Sequence, residues 1–279
     1  MMKRFCAVSP SVCLVLALVS DPRAAEAAFE RQVSGGRSAG MGSAIVTGSP
    51  DAWSATVHSA LLGFVYRPSI ESQVQPSPFG LSELSRAGIA AVLPFGPGAL
   101  ALSGMRQGRD LCRETEAGLS VGIRLYRILL IGGRIRWCHL SFSGYGSDAA
   151  FACDLSIAAV PLEGLVLATL VQGVNRPTIG ETRERLPTTI MLGISYRPVN
   201  SIEIAVELEH DVFYDPGVNA GIECMPVDAL CLRAGVAGAA RSWTFGIGLR
   251  YGGLLCDYGL MLHPVLGPMH TVSAGFNFD

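Results

Sequence analysis

Lysine is almost missing. Lys3 is the only one in 279 residues, and it stands in the basic start of the chain. Schiff-base, Ser-Lys and P-loop chemistry, each of which needs a lysine amine, are excluded by inventory. Charge of either sign is scarce, at 16% of residues, and aromatics reach only 8%. Beyond the first 27 residues no apolar run approaches the roughly 20 residues of a membrane helix, which excludes a helical-bundle membrane protein. The H-E-x-x-H metal motif is absent, and the five histidines are scattered. Gly40-Met41-Gly42 begins like a dinucleotide loop, but Ile45 stands where the third glycine belongs and no βαβ unit surrounds it. No catalytic residue, metal site or cofactor is expected, and the chain is not read as an enzyme.

What is present is apolar. Hydrophobic residues make up 49% of the chain, and the mean hydropathy is +0.39, high for a water-soluble exported domain. Residues Met1 to Ala27 read as a secretory signal: Lys3 and Arg4 before a short apolar core from Phe5 to Val19, then Ala25-Glu26-Ala27 for cleavage. The mature chain, expected to begin near Ala28, carries 18 arginines against 21 acidic residues, a net charge of −3. No basic patch points to nucleic acid.

After Gly63 the apolar residues alternate with the period of strands. Ile202, Ile204, Val206 and Leu208 interleave with Glu203, Ala205, Glu207 and Glu209; Trp243, Phe245, Ile247, Leu249 and Tyr251 interleave with Thr244, Gly246, Gly248 and Arg250. A chain this apolar without spanning helices can cross a bilayer if its strands close, because closure satisfies every backbone N–H and C=O. Fourteen strands are expected, centred near Ile70, Ile89, Leu102, Leu119, Arg134, Leu155, Leu167, Leu192, Ile204, Ala220, Gly235, Ile247, Leu260 and Ala274. The connections alternate between tight turns, as at Gly96-Pro97-Gly98 and Gly252-Gly253, and longer polar ones, as at Asn175 to Pro187. That rhythm belongs to a transmembrane barrel and not to a soluble sandwich. The expectation is an all-β chain: a transmembrane antiparallel barrel of about 14 strands, residues 64–279, with an N-terminal lumenal plug, residues 28–63, behind the signal at 1–27.

Parity then orients the strand charges. Arginines at mid-depth facing lipid cost about 2–4 kcal/mol each, so Arg134 and Arg136 are placed in the lumen. Arg124 and Arg250 follow by the same parity, as do Glu203, Glu207 and Asp154. These charges are expected to pair with one another or with the plug, Arg134 and Arg136 neutralising Glu203 and Glu207; the alternative is a path for a carboxylate. Many other inward positions are small, among them Gly122, Gly193, Gly221, Gly235, Gly246 and Gly248, which leaves room for a plug and a modest passage. Six mature cysteines fall on faces and registers that do not pair, so free thiols are expected.

The stretch Gly35 to Gly63 mixes glycine, alanine and serine with Met41, Ile45, Val46, Trp53 and Leu61-Leu62, which need burial. It resembles the N-terminal segment of FadL-type and PorV/PorQ-type outer-membrane barrels. The matching positions are Gly35, Arg37, Gly40, Met41, Gly42, Ala44, Ile45, Val46, Asp51, Ala52 and Ala60, with Pro50 in place of the first Asp and His58-Ser59 in place of Asn-Pro. The resemblance implies a bacterial outer-membrane protein, assembled by the barrel-assembly machinery and surrounded by outer-membrane lipid. Its implied cargo is a hydrophobic small molecule such as a long-chain fatty acid. The alternative it implies is a docking scaffold for a type IX secretion system.

Overall fold

The computed structural model describes residues 28–29, 33–44, 50–181, 183–211, 216–238 and 241–278. The expected signal, and Ile45 and Val46 of the glycine-rich stretch, lie outside the described residues. Strands form where apolar and small or polar residues alternate. They are β1 (Ser69–Gln75), β2 (Arg86–Phe95), β3 (Gly98–Gly108), β4 (Cys112–Tyr126), β5 (Leu129–Phe142), β6 (Gly146–Leu162) and β7 (Leu165–Val171). A small hairpin, β8 (Thr178–Ile179) and β9 (Glu184–Arg185), interrupts the series. It continues with β10 (Thr189–Val199), β11 (Ile202–Asp211), β12 (Gly217–Val227), β13 (Leu230–Ala237), β14 (Ser242–Tyr251), β15 (Leu254–His263) and β16 (Gly267–Asn277).

Fourteen of these strands pair antiparallel with their neighbours into a closed barrel, and β1 seals it against β16 from Ser69↔Asn277 to Val74↔Val272. Closure leaves no unpaired edge, the condition for sitting in lipid. Each expected strand centre falls inside an observed barrel strand. Six connections, such as 96–97, 127–128 and 252–253, are two residues long, and all lie at one end. Those at the other end run from three residues to the seventeen of 172–188.

Two features depart from expectation. Strands β4, β5 and β6 run 15, 14 and 17 residues, well past the roughly 9–11 that span a bilayer. Their register holds without a bulge from Cys112↔Phe142 to Arg124↔Leu130, so pairing continues into what read as loops. The β8–β9 hairpin is the second departure. Its Ile179, with Leu186 just beyond it, packs on the inward-facing Cys138, Ala150 and Ala152, so this connection folds back onto the mouth.

The outward face is apolar and open: Ile89, Leu102, Leu155, Leu192, Ile222 and Ile247 are all exposed. The inward face is buried and polar or small, with Glu71, Gln73, Ser120, Asp154, Glu223 and Thr244 among its side chains. No helix is long and apolar enough to cross a membrane among the described residues.

Candidate functional site

The buried interior of the barrel is occupied by the N-terminal segment. A turn of helix at Gly35–Gly40, a second at Ser54–Val57 and a 3-10 turn at Ser59–Phe64 pack on the inward faces of the wall. The small inward positions are where this contact happens. A Cβ on Gly221 would stand 2.3 Å from the Met41 carbonyl, one on Gly246 would stand 3.0 Å from Gly40 Cα, and one on Gly132 would stand 2.3 Å from the Ala60 nitrogen. Within the segment, Gly42 has φ +65°, a left-handed conformation suited to glycine. Met41 beside it is fully buried with Leu61, Leu130 and Met191. Asp51 shapes the second turn: its Oδ1 accepts from the Ser54 N–H at 3.0 Å, and its own N–H donates to Ser54 Oγ at 3.1 Å.

Two charge networks tie wall and segment together. In the first, Arg37 of the N-terminal segment donates from Nε to Glu223 at 3.0 Å and from Nη2 to Glu203 at 3.2 Å. Arg233 also bonds Glu223, at 2.6 Å, and reaches Asp257, while Arg197 bonds Glu203. The second network joins β4, β5 and β6. Arg134 bonds Glu116 at 2.7 Å; Arg136 bonds Glu116 at 3.0 Å and grips Asp154 with two bonds, at 2.8 and 3.0 Å. Arg134 further donates to the Thr56 carbonyl at 3.3 Å and to Ser103 at 3.1 Å.

Arg134 and Arg136 therefore face inward as parity required, but they neutralise Glu116 and Asp154. Glu203 is met by Arg37 and Arg197 instead. The reason is spacing: the acids nearest Arg134 and Arg136 are those on the adjoining strands, Asp154 one pleat from the position opposite Arg136, and Glu116 one pleat from the position opposite Arg136 and two from that opposite Arg134. Arg124 and Arg250 stand near the short-turn end, Arg124 over the rings of Phe64 and Tyr66 at 5.0 and 5.4 Å, and Arg250 with Nη1 3.6 Å from Met225 Sδ. Glu207 is buried on β11.

Above the N-terminal segment, toward the long-connection end, lies a cavity of about 360 Å³. Gln75, Arg86, Met105, Gln107, Asn219, Ala237, Met261 and Met269 line it from strand ends, and Val33, Ser38, Thr56 and Val57 line it from the segment below. Arg134 and Arg136 reach it; Arg124, Arg250, Glu203 and Glu207 do not. Arg86 was not anticipated, although its parity with Gly88 and Ala90 places it inward. It is buried, donates from Nη1 to the Val33 carbonyl at 2.9 Å, leaves Nε without a partner and makes no ion pair among the described residues.

His58 is a second buried group of the segment. Its Nε2 lies 3.1 Å from the Thr169 carbonyl, and burial pushes its pKa down to about 4, so the ring is neutral. Gly36 to Gly40 also spells G-x-S-x-G, the nucleophile-elbow pattern. Here it forms a turn of helix against β15 and β14, and no histidine lines the cavity onto which Ser38 opens. Among the described residues no cluster of ligating side chains suits a metal.

No protein-family model matches the sequence, and no curated protein matches it either. Solved structures do match. The monoaromatic hydrocarbon channel CymD superposes with a TM-score of 0.67 at 10% identity, over 88% of this chain and 97% of that one. The Ralstonia pickettii toluene transporter TbuX gives 0.66 at 12% identity, over 90% and 100%. A Pseudomonas aeruginosa FadL homologue gives 0.60 at 11% identity, over 91% and 100%. The chain has the closed 14-stranded barrel fold of FadL-like transporters. At these identities the likeness is one of fold.

Proposed function

We propose that this chain resides in the bacterial outer membrane and passes hydrophobic small molecules inward through a plugged lumen. The observation that carries the reading is the cavity of about 360 Å³ at the long-connection end, floored by the buried N-terminal segment. Residues 28–63 act as the plug, and Gly40, Met41, Gly42 and Asp51 shape it. Similar barrels are toluene transporters and monoaromatic hydrocarbon channels, which supports an apolar cargo. Long-chain fatty acids are the cargo proposed here, because the vestibule offers a buried cation, Arg86, that makes no ion pair among the described residues, although Glu116 lines the same cavity. Arg86 receives the carboxylate beside the apolar Val33, Met105, Met261 and Met269, and Arg134 and Arg136 follow behind it. Outer-membrane lipid surrounds the apolar belt, and the barrel-assembly machinery inserts it.

The test is uptake into liposomes carrying the full chain, with barrel integrity scored first by heat-modifiable gel mobility. A labelled long-chain fatty acid is expected to enter faster than into empty liposomes. Arg86→Met slows it several-fold and leaves toluene entry unchanged. Toluene entry without fatty-acid entry would replace the cargo; an intact barrel that passes neither and co-purifies with secretion machinery would replace the reading with that of a secretion scaffold.

A further inference from the structure

Among the described barrel strands, nearly every arginine faces the lumen. Arg106 on β3 and Arg113 on β4 face out. Their parity is unambiguous: Arg106 continues the exposed row of Leu100 and Leu102, and Arg113 continues that of Leu119 and Ala117, while Met105 and Gly118 are buried. The ladder places Arg106 opposite Thr115, and Thr115 opposite His139 of β5, with Arg113 one pleat further toward the long connections. Arg106 and Arg113 are thus diagonal neighbours on one face, roughly 7–8 Å apart at Cα. Their long side chains reach a common point.

Neither side chain has a partner among the described residues, and Arg113 Nε is buried without one. Of the nearby acids, Asp110 is exposed in the turn 109–111 and makes no ion pair among the described residues. Glu114 and Glu116 point inward by parity, and the Asp148 carboxylate accepts from the Ala149 and Gly180 N–H groups. One pleat below stands Trp137, stacked on His139 with ring centroids 5.3 Å apart and paired across the ladder with Phe151. Tryptophan is enriched at the membrane–water boundary, in the aromatic girdle of a transmembrane barrel. The same row holds Gly104 and Ala117, so the wall beneath the two arginines is shallow, between Ile89 and Trp137.

We propose that Arg106 and Arg113, with His139 beside them, form a lipid-facing site for the phosphate of an outer-leaflet lipid. Its acyl chain lies down the notch of Gly104 and Ala117. Two arginines offer paired donors suited to phosphate oxygens, and the position just beyond Trp137 is the depth of a headgroup. The inference rests on the reading of the chain as an outer-membrane barrel with its long connections outward.

The experiment titrates the purified full chain, in neutral detergent with EDTA, against bis-phosphorylated lipid A, its dephosphorylated form and inorganic phosphate, read by native mass spectrometry. The phosphorylated lipid is expected to bind about tenfold or more tightly than the dephosphorylated one, since charge-assisted bonds are lost with the phosphate. Arg106→Gln with Arg113→Gln removes that preference, and Arg106→Lys with Arg113→Lys restores part of it, all with unchanged heat-modifiability. Equal binding of the two lipids, or an intact Gln variant that keeps the preference, overturns the site. So does inorganic phosphate displacing the lipid at equal concentration. Recovery of the chain outside the outer-membrane fraction sinks the localisation separately, because the titration is scored on purified protein.

Discussion

Replacing Arg37 by methionine tests how firmly the N-terminal segment is held. Methionine keeps most of the side-chain volume and removes the guanidinium. Two buried charge-assisted bonds disappear, to Glu223 at 3.0 Å and to Glu203 at 3.2 Å. Truncating one partner of a buried ion pair costs about 3–5 kcal/mol when the other charge is orphaned. Here neither carboxylate is orphaned, since Arg233 still bonds Glu223 and Arg197 still bonds Glu203. That range therefore does not apply, and the loss is that of two charge-assisted bonds at about 1.5 kcal/mol each, about 3 kcal/mol, or a shift on the order of a hundredfold toward the undocked segment. Hydrogen exchange of the full chain in detergent is the assay. Amides of residues 35–44 are expected to exchange on the order of a hundred times faster, while the barrel strands keep their protection and their heat-modifiability. Unchanged protection at 35–44 would refute the ion pairs as the anchor, and loss of strand protection would show that Arg37 holds up the wall itself.

Acid should loosen the same segment. His58 binds its proton in the free segment near 6.5 but only near 4 when docked, so docking weakens as pH falls from about 6.5 to 4, by up to roughly 3 kcal/mol. His58→Gln flattens that dependence, read as protection at residues 54–63 against pH. The denatured, unreduced chain should titrate for six thiols beyond the signal, because Cys112, Cys138, Cys153, Cys224, Cys231 and Cys256 are all free and no two stand opposite in the ladder; two or fewer would contradict the register.

Period-2 alternation was enough to read the strand count, the inward turn of Arg134 and Arg136 and the glycines on the lumen face. Each follows from a local rule, the pleat, applied against the large penalty for charge in lipid. The faces of Cys112, Cys138, Cys153, Cys224 and Cys231 were legible for the same reason. Cys112 and Cys138 share the inward face, yet Cys138 pairs with Glu116, leaving them four residues out of step.

Partners across the lumen were not legible. Parity says that a side chain points in, but not how far along the barrel its counterpart stands. That depends on the stagger of every intervening pair, so Glu116 and Asp154 displaced Glu203 and Glu207 as partners of Arg134 and Arg136. The bond from Arg37 to Glu203 and Glu223 joins residues more than 160 positions apart. Only barrel closure brings them together. The overlong β4–β6 wall and the inward fold of the β8–β9 hairpin were hidden by polar, turn-like composition, which ladder pairing and the burial of Ile179 and Leu186 overrode. Arg86 stood in plain alternation with Gly88 and Ala90. What singles it out, a buried inward cation that makes no ion pair among the described residues, is a property of the assembled lumen, because a charge is unpaired only with respect to everything that surrounds it.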